Sequence, residues 1–147
     1  EVEIDPETGR VFLASYGNVD DTGNMINPMI VDGQIKGGIA QGAGQVLLEQ
    51  SVYDSEGQLL TASFMDYAMP RADDLPLIQS STFTDAPCLT NPLGAKGVGE
   101  IGTVGSIPTI ANAILDALWD QGVRKFDMPA YPQIIWELIQ DAKNLRQ

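Results

Sequence analysis

Gly97-Val98-Gly99-Glu100-Ile101-Gly102 places a single carboxylate inside a run of glycines, shortly before a strongly apolar helical pattern. Glycine carries no Cβ, so backbone N–H groups in such a turn can face an anionic ligand at close range. Glu100 would then stand beside that ligand as an acid–base group. The same letters spell the G-x-G-x-x-G dinucleotide fingerprint, but that fingerprint follows directly on a buried strand and opens a βαβ unit. Here Thr90-Asn91-Pro92-Leu93-Gly94 precedes it, which is loop chemistry, and too little chain follows for further βαβ units. A P-loop is excluded because no Gly-Lys-Ser/Thr follows. The plainer reading of Glu100 is a solvated or helix-capping carboxylate, and spacing alone leaves both open.

The rest of the composition narrows the chemistry. The 147 residues contain no histidine, which removes the commonest zinc ligand and both the Ser-His-Asp and Cys-His arrangements. Acid–base work must fall to a carboxylate, Lys or Tyr. The one cysteine, Cys88, makes neither an internal disulfide nor a thiolate-rich iron–sulfur site within this chain, and a reducing cytoplasm is the default location. A formal charge of −12, with eight Lys and Arg that form no stripe, argues against nucleic acid and anionic membrane as partners. No apolar stretch is expected to reach the roughly 20 residues that span a bilayer. Asp20-Asp21 and Asp66-Tyr67 are the other acidic candidates, each more simply a turn or capping group.

The elements that must position these groups read as α+β, with mixed or antiparallel strands and about three helices in one domain over residues 1–147. Val2 to Ile4, a turn at Asp5-Pro6-Glu7-Thr8-Gly9, and Val11 to Tyr16 predict a hairpin. After the polar loop Asp20 to Asn24, Pro28 fits the first turn of a helix that reaches about Gln50, with Val31, Ile35, Ile39, Val46 and Leu47 on its apolar face. Gly33, Gly37, Gly38, Gly42 and Gly44 each cost ~1 kcal/mol against Ala in a helix interior. Close helix packing or close ligand approach must offset that. Val52-Tyr53 and Leu59-Leu60 suggest a second short hairpin, Ala68 to Pro76 a loop, and Ile78 to Thr84 a strand. An irregular stretch is expected from Thr90 to Gly105. Beyond Pro108, Ile110, Ala111, Ile114, Leu115 and Leu118 mark a helix closed by Gly122, and a final helix starts near Pro132, carries Ile134, Ile135, Leu138 and Ile139, and ends in a charged tail. Trp119 and Trp136, on helical patterns, are expected in the core.

Three blocks, in order and spacing, carry a resemblance: Asp20-Asp21-Thr22-Gly23 through Ile26-Asn27-Pro28, then Gly33-Gln34-Ile35-Lys36-Gly37-Gly38-Ile39-Ala40-Gln41-Gly42, then Asn91-Pro92-Leu93-Gly94-Ala95-Lys96-Gly97-Val98-Gly99-Glu100. With Phe64-Met65-Asp66-Tyr67 and the helix after Pro108, they resemble the molybdenum hydroxylases. This is the family of xanthine dehydrogenases, aldehyde oxidases and aerobic carbon-monoxide dehydrogenases, and the likeness is to the C-terminal part of the molybdopterin-binding large subunit. The resemblance implies that Glu100 is the active-site base beside molybdenum and that Lys96, Gly97, Val98 and Gly99 bind the pterin. It also implies that a glutamine of the second block touches the cofactor, with Gln34 favoured by its spacing to Glu100 and Gln41 the second choice, and that Asn27 approaches the same ligand. The third place of the Asp-Asp-x-Gly loop, often cysteine in relatives, is Thr22 here.

The implied reaction hydroxylates an electron-poor carbon of an aldehyde, a heterocycle or a carbon-monoxide-type substrate. A base takes the proton from a molybdenum-bound hydroxyl, the oxygen attacks, and hydride passes to a sulfido ligand, which needs one placed carboxylate and no histidine. The resemblance further implies a molybdenum–molybdopterin cofactor, in its cytosine dinucleotide form. It places the [2Fe-2S] and FAD groups on partner subunits or domains, and the remaining cofactor contacts and substrate pocket on the rest of the same subunit. The chain is therefore expected to be a piece of a longer protein, inactive alone. The competing reading is a noncatalytic cofactor-binding or assembly module of the same fold.

Overall fold

The computed structural model describes residues 1–145, so the last two residues of the charged tail lie outside it. Strands β1 (Val2–Ile4) and β2 (Val11–Leu13) pair antiparallel, with Glu3 opposite Phe12. The turn between them is held by Asp5, whose carboxylate accepts from the Glu7 N–H (2.9 Å) and the Thr8 hydroxyl (2.7 Å). The expected second strand does not run on unbroken to Tyr16. The N–H groups of Ala14 and Ser15 both donate to the Glu1 carbonyl, at 3.0 and 3.4 Å, which is a β-bulge. Past it the chain bends into β3 (Tyr16–Asp21), which pairs in parallel with β4 (Ile78–Phe83), Tyr16 opposite Ile78 and Asp21 opposite Phe83.

Three helices make the core: α1 (Pro28–Leu47), α2 (Ile101–Trp119) and α3 (Pro132–Asn144). Ile35, Ile39, Val46, Ile110, Ile114, Leu118, Ile135 and Ile139 are all essentially removed from water, each worth ~1.5–3 kcal/mol of burial. The glycines of α1 divide by what lies beside them. A Cβ on Gly38 would stand 2.8 Å from the Thr103 nitrogen, and one on Gly42 would overlap the Ser106 hydroxyl. From the other side, a Cβ on Gly102 would overlap the Ile35 carbonyl. Close packing of α1 on α2 therefore accounts for Gly38, Gly42 and Gly102, while Gly33 and Gly37 face open space.

Helix α2 starts at Ile101, seven residues before the proline that sequence reading took as its beginning, and Pro108 lies inside it. Its first turns hold Gly102 and Gly105, poor helix formers alone, and are stabilised where Gly102 and Thr103 dock on α1. The longer helix also corrects the expectation about apolar stretches: by length and composition α2 is long and apolar enough to cross a membrane. In this fold its Ile110, Ile114 and Leu118 stripe is buried in the core with α1. The C-cap is Asp120, and Gly122 takes the left-handed conformation (φ +95°) two positions later. Trp119 and Trp136 are not core residues, being 50% and 41% exposed. The Arg124 guanidinium covers the Trp119 ring at 3.9 Å. The second hairpin reduces to one bridge, Tyr53 to Leu59, and the loop before β4 holds a short 3-10 turn, Ala72–Asp74.

Candidate functional site

The loop that follows β3 and the loop that precedes α2 meet as a short two-stranded clamp. Gly23 bridges Ala95 antiparallel, the Asn24 N–H donates to the Gly94 carbonyl (2.9 Å), and the Lys96 N–H donates to the Thr22 carbonyl (3.2 Å). The Asn24 carboxamide reaches on to the Leu93 carbonyl at 2.9 Å. Gly23 must be glycine, since its φ is +56° and a Cβ would overlap the Gly94 carbonyl. Across the clamp, Lys96 Nζ lies 2.5 Å from the Asp21 carboxylate. The Lys96 hydrogen bond, then that from the Gly23 N–H, hold the Asp21 carboxyl below the usual carboxylate range. The sequence predicts a turn or capping role for Asp21, which its bond from the Gly23 N–H fits; its part in the clamp depends on a partner 75 positions away, which no local spacing reveals.

Glu100, four residues beyond Lys96, occupies the N-cap position of α2. Its carbonyl accepts from the Thr103 and Val104 N–H groups (3.0 and 3.1 Å), but its side chain makes no capping bond. The carboxylate makes no capping hydrogen bond, and its exposure matches the solvated reading as well as one that faces a ligand. It is exposed, on the wall of a shallow cavity of about 580 Å³ shared with Gly97, Gly99, Ile101, Val104 and Gly105. Among the described residues, and apart from the adjacent ones in the chain, no atom lies within 4 Å of where a Cβ on Gly97 or Gly99 would be. Nothing inside the fold requires glycine there, so the backbone is left open to something outside it.

Gln41 is tied to the same end of α2. The Thr103 hydroxyl lies 3.2 Å from Gln41 Oε1 and 3.1 Å from the Gly38 carbonyl. Asn27 is the N-cap of α1, its Oδ1 accepting from the Ile30 N–H at 3.2 Å. It lines a second cavity, of about 270 Å³, with Thr22, Asn24, Lys96 and Val98. Thr22, 1% exposed, also borders it, with a buried hydroxyl oxygen that has no hydrogen-bond partner. Gln34 is exposed on α1 and lines neither cavity, although the next residue, Ile35, touches Gly102. The structure therefore brings together Gln41, Gly97, Gly99 and Glu100 at the head of α2, and Asn27, Lys96 and Val98 around the clamp.

A large anionic organic ligand fits what these residues present. Gly97 and Gly99 offer backbone that no Cβ shields, and the start of α2 favours negative charge. Among the described residues no three His, Cys, Asp or Glu side chains gather as a metal-ligand set. The arrangement is a glycine-bordered turn with one exposed carboxylate at a helix start, joined to a clamp between two loops. Residues 1–76 match the molybdopterin cofactor-binding domain family, and the chain belongs to that family and, with it, to the molybdenum hydroxylases. It is 39% identical over 140 residues to the gamma subunit of the 6-hydroxypseudooxynicotine dehydrogenase complex of Paenarthrobacter nicotinovorans, covering 95% of this chain and 18% of that protein. Identity is likewise 39% over 140 residues to the carbon monoxide dehydrogenase large chain of Hydrogenophaga pseudoflava, 95% of this chain and 17% of that one. The solved quinoline 2-oxidoreductase of Pseudomonas putida 86 superposes with a TM-score of 0.90 at 41% identity, over 95% of this chain and 18% of its own. The chain thus spans less than a fifth of the length of these relatives.

Proposed function

We propose that the chain is the C-terminal portion of the molybdenum-cofactor-binding subunit of an oxidoreductase that hydroxylates an electron-poor carbon with oxygen from water, and that Glu100 is its base. The observation that supports this best is the unspent Glu100 carboxylate, set at the head of α2 beside the unshielded backbone of Gly97 and Gly99. Lys96, Gly97, Val98 and Gly99 would hold the pterin through backbone and charge, and Gln41, Gln34 and Asn27 would add side-chain amides. A molybdenum centre held by these residues would supply the two-electron oxidation. Glu100 accepts the proton of the attacking water-derived oxygen on its carboxylate. The clamp through Asp21 and Lys96 keeps that carboxylate in register, and Thr103 ties Gln41 to the same turn.

The relatives' own names, gamma subunit of a complex and large chain, are those of parts of larger assemblies. We extend this to the present protein: the rest of its subunit completes the pocket, and [2Fe-2S] and FAD partners carry electrons away. The pterin is proposed to be the cytosine dinucleotide, and the 147 residues alone to be inactive. In the full-length subunit, Glu100→Gln is expected to lower turnover by ~10²–10⁴-fold, the usual worth of a general base, with molybdenum content unchanged. Near-normal turnover in that variant would remove the assignment.

A further inference from the structure

Two independent hydrogen-bond patterns agree on which way the backbone of β3 faces. The Thr22 N–H donates to the Phe83 carbonyl at 3.1 Å, and because backbone groups alternate along a strand, Asn18 and Asp20 also turn toward β4. Gly17, Val19 and Asp21 turn the other way. At the bulge, the Glu1 amino group donates to the Ser15 carbonyl (3.0 Å) and the Ser15 N–H returns to the Glu1 carbonyl. Ser15 therefore faces β1, and by the same alternation so do Gly17, Val19 and Asp21. β1 and β4 thus lie on opposite edges of one bent strand, β2 continued as β3. On the β1 side the ladder stops at Glu1, and among the described residues no turn, cap or side chain supplies a partner to the backbone of Gly17, Val19 or Asp21.

Such an edge does not suit a stable fold. Parallel sheets occur with both faces covered and more than two strands, whereas β3 and β4 form a two-stranded parallel pair in which Val19 is 76% exposed. The relatives supply more than four fifths of their length from outside the matched region. We infer that the open edge of β3 is filled by the stretch of the subunit that runs into Glu1, added as an antiparallel strand in the register the bulge sets. Its backbone pairs with Gly17, Val19 and Asp21, and about six residues suffice to reach Asp21 at one residue per rung. The sheet becomes mixed and three-stranded, with β3 at its centre. Since β3 ends at Asp21, which holds Lys96, the added strand would also fix the base of the clamp that carries Glu100.

This inference rests on the reading of the chain as part of a larger subunit, but its test needs neither metal nor turnover, so it can fail while the assignment of Glu100 stands. Residue-resolved amide exchange on the full-length subunit is expected to show Gly17, Val19 and Asp21 slowed about 100-fold or more relative to open amides, alongside Asn18 and Asp20. Fast exchange confined to the odd-numbered positions would overturn it, because only the β4 edge would then be paired. Protection that disappears on dilution would also overturn it, in favour of a second copy of the subunit on this edge. In the same protein, Val19→Pro should raise exchange across residues 17–21 and lower the melting temperature, while Val19→Thr, which keeps the N–H, should change neither. A Val19→Pro subunit with unaltered exchange would show that nothing pairs there.

Discussion

Asp21 and Lys96 stand 75 positions apart in sequence and 2.5 Å apart in the fold, at the point where the loop after β3 grips the loop before α2. Both side chains remain about a third or more exposed, so the pair matters less for stability than for geometry. Asp21→Asn is expected to leave the helical core intact and to speed amide exchange at Asn24 and Lys96, the backbone donors of the clamp. The pH dependence has a definite sign. Asp21's carboxyl is held below its ordinary value of 3.8 by the Lys96 hydrogen bond. The contribution of the Asp21–Lys96 pair to the clamp is therefore fully present above that value and is lost as pH falls through the depressed folded one, while the backbone bridge does not titrate. Exchange at Asn24 and Lys96, whose N–H groups make the clamp's backbone bonds, corrected for intrinsic pH effects, should be flat near neutrality and rise only in acid; a change centred between pH 6 and 8 would contradict it.

The interlock of α1 and α2 predicts a graded set of substitutions. Gly42→Ala brings its methyl onto the Ser106 hydroxyl, which is fully buried and donates to the Thr103 carbonyl. It is expected to destabilise by ~1–3 kcal/mol through overpacking, and Ser106→Gly should restore part of the loss because it removes the atom that collides. Gly102→Ala meets the Ile35 carbonyl, a backbone atom that cannot swing aside, and should be the more damaging of the two with no single rescuing partner. Chemical denaturation of the single and double variants measures the coupling. Strictly additive losses for Gly42→Ala and Ser106→Gly would show that the two do not meet.

Glycines that face open space should behave in the opposite way. Gly99→Ala introduces a methyl with nothing near it, so secondary structure and melting temperature of the full-length subunit without cofactor should be unchanged. If the backbone there meets the pterin, the same methyl should lower molybdenum and pterin content in the loaded enzyme. A Gly99→Ala subunit that retains its full cofactor complement would mean that the open backbone serves some other contact.

Much of this arrangement was legible in the sequence because it is written locally. Pro28 at the start of α1 and Pro132 at the start of α3, the spacing of Ile35 and Ile39, and Ile78, Thr82 and Phe83 in β4 each state their element within a few residues. Glu100 stood out for the same reason, being one carboxylate among glycines. What could not be read depends on distant partners. The start of α2 looks like loop because Gly102 and Gly105 have poor helix propensity, and only the groove of α1 shows why Gly102 must be small. Trp119 follows the helical period yet lies on the exposed side, where Arg124 shields it. The bulge at Ala14 and Ser15, which turns an expected hairpin strand toward β4, leaves no mark in residue type at all.

Tyr67 and Glu49 provide a spectroscopic check on the loop that follows α1. The Tyr67 hydroxyl donates to the Glu49 carboxylate at 2.9 Å, and Glu49 folds back so far that a Cβ on Gly44 would overlap its carboxylate oxygen. Donating to an anion favours the protonated phenol. That hydrogen bond, with lesser contributions from desolvation and the Glu49 charge, raises Tyr67 above its ordinary value of 10.0. Because the shift is upward, its stabilisation is complete below the ordinary value and is lost as pH rises through the folded one. In an absorbance titration of the full-length subunit, the tyrosinate signal removed by Tyr67→Phe should therefore lie on the alkaline side of a free tyrosine. Glu49→Gln should move that component back toward the ordinary value, since a neutral amide no longer opposes the phenolate. A Tyr67 component unmoved by Glu49→Gln would mean that burial alone sets its ionisation, and that the Tyr67 loop is held to α1 by packing without this hydrogen bond.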